Sequence, residues 1–179
     1  FALGSIQSRD RKERGIPFDS IHTDSWIAFV EAKLQSDISN HVSNDPCRNQ
    51  LLRVIENAVT FQDEKHQRPD EVHVILLTPS MFADNPRTRF YGCKFEEYCS
   101  DADTTNVDSI QADLDRLHVK PATHRSDWRY PTDIGHRLGL LKLHWVTIED
   151  VVREMPESVF RTELIELLSR PGGLVRFTD

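Results

Sequence analysis

The chain has 179 residues, of which 38% are hydrophobic and 28% charged, and its formal net charge at pH 7 is −7. This composition is ordinary for a globular protein and excludes wholesale disorder and fibrous repeats. A chain of this length buries roughly two-thirds of the surface that it exposes when unfolded, so we expect residues 1–179 to form a single domain. The negative charge argues mildly against nucleic-acid binding, because affinity for phosphate comes largely from Lys and Arg.

The sequence also bears on membranes and on the cellular compartment. No apolar run approaches the ~20 residues that a membrane span needs, so no membrane partner is expected. The chain begins with Phe1 rather than Met, which leaves room for an upstream domain or a larger assembly. Its three cysteines, Cys47, Cys93 and Cys99, cannot all pair, and none lies in a Cys-x-x-Cys motif. This pattern predicts reduced thiols in a cytoplasmic protein.

Two strands are predicted near the N-terminus, over residues 16–22 and 25–34, joined by a two-residue turn into a hairpin. The second segment is rich in aromatic and β-branched residues. Because side chains alternate along a strand, Glu31 and Lys33 lie on the same face. Two charged side chains therefore end one face of an otherwise buried strand.

An amphipathic helix and a buried strand are predicted next. Asn44 or Asp45 can cap the helix, with Pro46 in its first turn. The apolar residues that recur at helical spacing are Cys47, Leu51, Val54, Ile55, Ala58 and Val59. Residues 72–77 form an apolar run of strand length. His73, within that run, is expected to be a hydrogen-bonded core residue rather than a metal ligand.

From residue 80 to residue 129 the pattern is weaker, and two short helices are predicted over residues 90–98 and 109–117. Residues 138–146 indicate a further strand. Thr147 and Asp150 then form a capping box for the next helix. The last helix has an apolar stripe of Phe160, Leu164, Leu167 and Leu168. Strands and helices in this order predict an α/β fold in which a mixed central β-sheet is flanked by helices.

The charged end of the second strand has side chains that would suit chemistry on a phosphodiester. Hydrolysis of that bond is assisted by a divalent metal ion, and hard cations such as Mg²⁺ bind carboxylate oxygens. The Cα atoms of Glu31 and Lys33 lie about 6.6 Å apart on a strand, so both side chains can address one phosphate. A lysine can orient the attacking water or stabilise the negative transition state.

A second carboxylate is expected from the partner strand, where Asp19 and Asp24 are the alternatives. Asp24 lies at the turn, roughly 23 Å from Glu31 at ~3.3 Å per residue. Asp19 lies further back along the first strand and is favoured. With a two-residue turn it would still fall about 10 Å short of Glu31, so the hypothesis requires a longer loop, a bulge or a bent hairpin.

The segments Ile16-Pro17-Phe18-Asp19 and Phe29-Val30-Glu31-Ala32-Lys33 together resemble the signature of the PD-(D/E)XK, or restriction-endonuclease-like, nucleases. The resemblance implies a restriction-endonuclease-like fold with Mg²⁺ or Mn²⁺ held by Asp19, Glu31 and the backbone carbonyl of Ala32. Lys33 would match the catalytic lysine. Gln50 begins no Gln-x-x-x-Tyr motif because Val54 occupies the fourth position after it, and it is more readily explained as a surface residue than as one that orients the site.

The sequence therefore predicts a metal-dependent nuclease that acts on DNA or RNA, with DNA favoured. Arg87, Arg89 and Lys94 are the basic residues expected to contact the phosphates. The alternative is a module that keeps the nuclease fold and binds or regulates without catalysis. No phosphate-binding loop, Gly-x-Ser-x-Gly elbow or His-Glu-x-x-His motif is present, so other hydrolase classes have no support.

Overall fold

The computed structural model describes residues 2–3, 5–6, 18–19, 25–34, 49–60, 69–101, 104–116 and 131–170. Within these ranges the strands are β1 (Ala2–Leu3), β2 (Ser5–Ile6), β3 (Phe18–Asp19), β4 (Trp26–Ala32), β5 (Glu71–Thr78), β6 (Cys99–Asp101), β7 (Thr104–Thr105) and β8 (Leu141–Thr147). The helices are α1 (Gln50–Thr60), α2 (Ser80–Ala83), α3 (Phe90–Tyr98), α4 (Val107–Asp115), α5 (Ile134–Leu140), α6 (Ile148–Glu154) and α7 (Val159–Leu168). In the part of the chain that the structure describes, no helix is long and apolar enough to cross a membrane.

The centre of the fold is a four-stranded sheet in the order β1-β4-β5-β8. Strands β4, β5 and β8 are parallel, and β1 lies antiparallel to β4 at one edge. Helix α1 makes the crossover between β4 and β5, as a parallel pair requires. The predicted class, a mixed α/β sheet flanked by helices, is confirmed.

The predicted N-terminal hairpin is wrong. Strand β4 confirms the second predicted segment, but its neighbours are β1 and β5. Phe18–Asp19 instead pairs with Ser5–Ile6 in a separate two-stranded sheet. Pairing between consecutive strands is only a common tendency. Here the parallel partner β5, which comes much later in the chain, occupies one side of β4.

One face of the sheet carries the main hydrophobic core. Along β5, Val74 and Leu76 are fully buried and face α1 and the helices that follow β5. Burying a side chain of this size contributes about 1.5–3 kcal/mol. The largest fully buried side chains elsewhere in this core are Leu51, Leu52, Ile55, Tyr91, Tyr98, Ile110, Leu114 and Leu138.

Helix α1 confirms the predicted apolar spacing but begins later than expected, at Gln50. Its cap is Asn49, whose side-chain oxygen accepts a hydrogen bond from the backbone N–H of Leu52 at 2.8 Å. A side-chain acceptor for one of the first helical N–H groups is what an N-cap supplies. The predicted caps Asn44 and Asp45, together with Pro46 and Cys47, lie outside the described residues.

Helix α3 lies unusually close to the 3₁₀ turn Pro86–Thr88. A Cβ atom added at Gly92 would be 1.8 Å from the carbonyl oxygen of Pro86. Any other residue would therefore force the two segments apart. This glycine is required by packing.

The C-terminal elements agree with the sequence in type but not in every boundary. Residues 138–140, predicted as strand, are the last turn of α5, and β8 begins at Leu141. Leu138 is fully buried in the helical layer, so tertiary packing decides its conformation. The capping box is confirmed, because Thr147 Oγ1 accepts a hydrogen bond from the Asp150 N–H at 3.0 Å.

Candidate functional site

The structure brings Glu31 and Lys33 together at the carboxyl end of β4. The ammonium nitrogen of Lys33 lies 2.9 Å from Oε1 of Glu31. The Lys33 side chain is 7% exposed and that of Glu31 20% exposed. A buried ammonium group beside a carboxylate that reaches solvent is the first element of the candidate site.

Gln50 completes this cluster. Its side-chain oxygen accepts a hydrogen bond from Nζ of Lys33, so its interpretation as a surface residue was wrong. The signal that could have found it is topological. A crossover helix between parallel strands starts near the carboxyl end of the strand before it, which is where ligands bind in open α/β sheets. We call Glu31, Lys33 and Gln50 the strand-end cluster.

The backbone fixes this geometry. The N–H of Lys33 donates a hydrogen bond to the carbonyl of Leu77 at 2.8 Å, which extends the β4–β5 ladder past Ala32. Successive residues of a strand direct their backbone groups to opposite sides, so the carbonyl of Ala32 faces away from β5. Glu31 is held in the same ladder, opposite Leu76.

The cluster fits a hard divalent cation in donor type. Glu31 supplies carboxylate oxygens, and Ala32 supplies the carbonyl that the sequence predicted. Mg²⁺ is commonly bound through one or two carboxylates, with water and substrate phosphates as its other ligands. Among the described residues, however, no group of three or more His, Cys, Asp or Glu side chains could hold a metal ion.

Asp19 does not lie on a strand that pairs with β4. It pairs with Ser5 in the two-stranded sheet of β2 and β3, whereas the described neighbours of β4 are β1 and β5. The bent hairpin that was expected to bring Asp19 and Glu31 together is therefore wrong.

The three basic residues expected to contact phosphate have different environments. Arg87 is 84% exposed in its side chain and lies 3.1 Å from Glu96. The guanidinium of Arg89 stacks over the ring of Phe82, with its central carbon 4.7 Å from the ring centroid. The depression of about 320 Å³ beside Arg87 is lined by Asp84, Asn85, Pro86, Arg87, Thr88 and Glu96, of which two are acidic.

Lys94 is already paired with two carboxylates of the fold. Its ammonium group donates hydrogen bonds to Asp113 at 2.6 Å and to Glu97 at 2.8 Å. Burial disfavours the charged lysine, but these two bonds outweigh that effect and raise the pKa of Lys94. In the sequence Lys94 belongs to a local basic cluster. Its partner Asp113 lies on a different helix, so their contact cannot be seen from neighbouring residues.

A second polar cluster lies on the opposite face of the sheet. His73 and His144 approach to 2.9 Å between ring nitrogens, and His73 also contacts Glu71 at 3.0 Å. Lys142 pairs with Glu71 across β5 and β8. His73 is thus hydrogen-bonded, as predicted, but it is half-buried and lies on the face opposite the main hydrophobic core, so its prediction as a core residue is wrong. Hydrogen bonds from Lys142 and His73 lower the pKa of Glu71.

Comparison of the chain with protein-family models, curated proteins and solved structures found no match.

Proposed function

We propose that this chain is a divalent-metal-dependent nuclease with a restriction-endonuclease-like fold, hydrolysing DNA or RNA, with DNA favoured. The observation that carries the proposal is the strand-end cluster, in which a buried lysine amine lies between the carboxylate of Glu31 and the carboxamide of Gln50. The cluster is built on a strand of a parallel sheet and on the helix that follows it. The pairing of β4 with β5 supports the fold part of the proposal.

Each member of the cluster has a role that its position supports. Glu31 would hold Mg²⁺ or Mn²⁺ together with the Ala32 carbonyl, and the metal would activate water and neutralise phosphate charge. Lys33 can hydrogen-bond the attacking water or a phosphate oxygen. Gln50 has no charge and so orients the amine of Lys33 without neutralising it. Asp19 has no place in the proposal.

Packing alone does not account for Lys33 in this arrangement. A buried ammonium ion loses several kcal/mol of hydration, which one carboxylate repays only in part. A hydrophobic residue of similar length would serve packing better at this position. The amine is therefore better explained by chemistry than by stability.

A cytoplasmic location belongs to the same proposal. The described cysteines, Cys93 and Cys99, are free thiols, as reduced cytoplasmic proteins commonly have. Burial raises the pKa of Cys99 to about 11. This thiol is therefore protonated and unreactive at neutral pH.

A second candidate function is binding or regulation without catalysis. It is favoured by the pairing of Asp19 with Ser5, which leaves Glu31 as the carboxylate that contacts Lys33 among the described residues. The net charge of −7 and the neutralised Lys94 point in the same direction. The two candidates differ in a single observable, which is metal-dependent cleavage.

The test compares two Glu–Lys pairs on one sheet, Glu31 with Lys33 and Glu71 with Lys142. Wild type, Glu31→Gln and Lys33→Met are incubated with single- and double-stranded DNA and RNA in Mg²⁺ or Mn²⁺. The matched controls are Glu71→Gln and Lys142→Met, which make the same charge changes on the opposite face of the sheet. We expect cleavage by the wild type and the controls, and its loss in both strand-end variants.

Two other outcomes have clear meanings. Binding of nucleic acid by the wild type without cleavage in any metal would replace the proposal with the second candidate. Cleavage that persists in Glu31→Gln and Lys33→Met would place the active site elsewhere. Calorimetric titration with Mn²⁺ gives a parallel measurement, since Glu31→Gln should bind the ion more weakly than Glu71→Gln does.

A further inference from the structure

A buried chain of hydrogen bonds joins the start of α1 to helices α3 and α4. Asn49 Nδ2 donates to Tyr98 Oη at 3.2 Å, and Tyr98 Oη donates to Asp113 Oδ2 at 2.7 Å. Lys94 donates to the same oxygen of Asp113 at 2.6 Å. Asn49, Tyr98 and Asp113 are all less than 8% exposed. We call these four residues the cap network.

Every hydrogen bond in the cap network has a fixed direction. An ionised carboxylate only accepts, so Tyr98 must donate its hydroxyl proton to Asp113. The Tyr98 oxygen is then left to accept from Asn49, which turns the amide nitrogen of Asn49 toward it. The amide oxygen of Asn49 consequently faces the N–H of Leu52, which it caps.

The charge on Asp113 is secured within the fold. Burial disfavours its ionised form, but hydrogen bonds from Lys94 and Tyr98 outweigh that effect and lower the pKa of Asp113. Arg116 approaches its other oxygen at 3.1 Å. Burial and the bond to Asp113 also raise the pKa of Tyr98, so its hydroxyl keeps the proton that it donates.

The cap network ends where the strand-end cluster begins. Asn49 caps α1, and the next residue, Gln50, is the first of the helix and accepts the hydrogen bond from Lys33. A helix cap fixes the backbone of the first turn. The orientation of the Asn49 amide therefore controls where Gln50 presents its side-chain oxygen.

We propose that Tyr98 and Asp113 are positioning residues for Lys33, acting through the Asn49 cap and Gln50. The proposal rests on the proposed function in that the strand-end cluster is the site. Without an acceptor at residue 113, the Tyr98 hydroxyl must donate to Asn49. The Asn49 amide then reverses, and the cap at Leu52 is lost.

The variants separate positioning from charge and from stability. Asp113→Leu removes the acceptor, whereas Asp113→Asn removes the charge but keeps an oxygen that can accept from Tyr98. Leu114→Ala, a cavity variant at a fully buried neighbour, is the control for destabilisation alone. Tyr98→Phe is a further variant that removes the hydroxyl and keeps the ring.

The main measurement is hydrogen exchange of the Lys33 ammonium group, followed by NMR in ¹⁵N-lysine-labelled protein. We expect exchange at least about tenfold faster in Asp113→Leu than in Leu114→Ala, because a buried hydrogen bond is lost only in the former. Asp113→Asn should stay close to the wild type. If Asp113→Leu does not fold, Tyr98→Phe replaces it. The Asn49 amide then loses the acceptor that fixes its orientation, so the cap at Leu52 is weakened and exchange at Lys33 should be faster than in Leu114→Ala.

If the cap network only stabilises the fold, we expect a different result. Exchange at Lys33 in Asp113→Leu or Tyr98→Phe that is no faster than in Leu114→Ala would overturn the positioning role. This measurement needs neither metal nor substrate, so it stands even if the wild type cleaves nothing. Conversely, cleavage by the wild type with unchanged Lys33 exchange in every variant would support the nuclease and refute the positioning.

Discussion

Two lysines with little solvent exposure, Lys33 and Lys94, have different electrostatic surroundings. The side chain of Lys94 is 14% exposed and meets two carboxylates, and its ammonium lies 5.4 Å from the ring centroid of Tyr98. Lys33 is 7% exposed and, among the described residues, meets one carboxylate and one neutral amide. Within that part of the chain, the more deeply buried lysine thus has fewer negative partners.

The difference shows what each lysine can do. The charge of Lys94 is fully compensated by groups of the fold, so an incoming phosphate would have to displace Asp113 and Glu97. Lys33 depends on Glu31, whose carboxylate reaches solvent. A cation that binds Glu31 would free the Lys33 amine for a phosphate or a water. Burial alone does not distinguish a structural lysine from a functional one, but the identity of its partners does.

The largest expected effect concerns Lys94 and its carboxylate partner Asp113. Asp113→Ala removes the acceptor of Lys94 and Tyr98 and leaves a buried cation with an incomplete set of partners. We expect a loss of about 3 kcal/mol in the free energy of unfolding, the lower end of the range for a broken buried ion pair. Urea denaturation measures it. A loss below that of Lys33→Met would contradict the assignment of Lys94 as the structural lysine.

The second expected effect is a dependence of stability on pH. Because the folded protein lowers the pKa of Asp113, this group contributes stability that is present above its ordinary pKa of about 3.9 and lost as pH falls through the lowered value. The urea midpoints of wild type and Asp113→Ala should therefore converge in acid. Midpoints that stay equally separated from pH 6 down to pH 2.5 would show that the charge of Asp113 does not stabilise the fold.

The third prediction concerns stability on the Lys33 side. Lys33→Met replaces a buried cation by an apolar chain of similar length, and Glu31 can still reach water. We expect the free energy of unfolding to change by no more than about 1 kcal/mol, since such replacements are often neutral or stabilising. Thermal denaturation measures the change in stability, and the cleavage assay measures the loss of activity. A large drop in melting temperature would mark Lys33 as structural after all.

The smallest expected effect lies outside the strand-end cluster and the cap network. Arg87 is exposed and pairs with Glu96 at the surface, so Arg87→Ala should change stability by less than about 0.5 kcal/mol. If nucleic acid binds at this surface, the variant should instead reduce the slope of log affinity against log salt concentration. An unchanged slope would remove Arg87 from the binding surface.

The elements that local patterns predict well are those whose identity is decided by neighbouring residues. The apolar spacing in α1, the apolar run in β5 and the capping box at Thr147 are of this kind. Contacts between residues distant in sequence are not predicted by local patterns. Ser25 at the start of β4 bonds to Asp70, 45 positions away, and nothing in either segment names the other. The hairpin prediction failed for this reason.

The candidate site follows the same rule. Glu31 and Lys33 lie two residues apart, so strand alternation alone places them on one face. Gln50 reaches Lys33 only because α1 crosses from β4 to β5, which requires the parallel pairing to be known. The ion pair between Lys94 and Asp113 joins two helices, so no local pattern in the sequence indicates it. Residues in one segment could be found from sequence, and residues joined by topology could not.

The central place of β5 also has a consequence for how the chain folds. Its partner β8 comes late, and His73 and His144, which contact each other across these strands, are 71 positions apart. Until β8 has been synthesised, one edge of β5 has no strand to pair with, and an unpaired apolar edge is a template for aggregation. Pairings between distant segments also slow folding. A chain truncated before Leu141 should therefore be recovered mainly as aggregate, even though it retains the whole strand-end cluster.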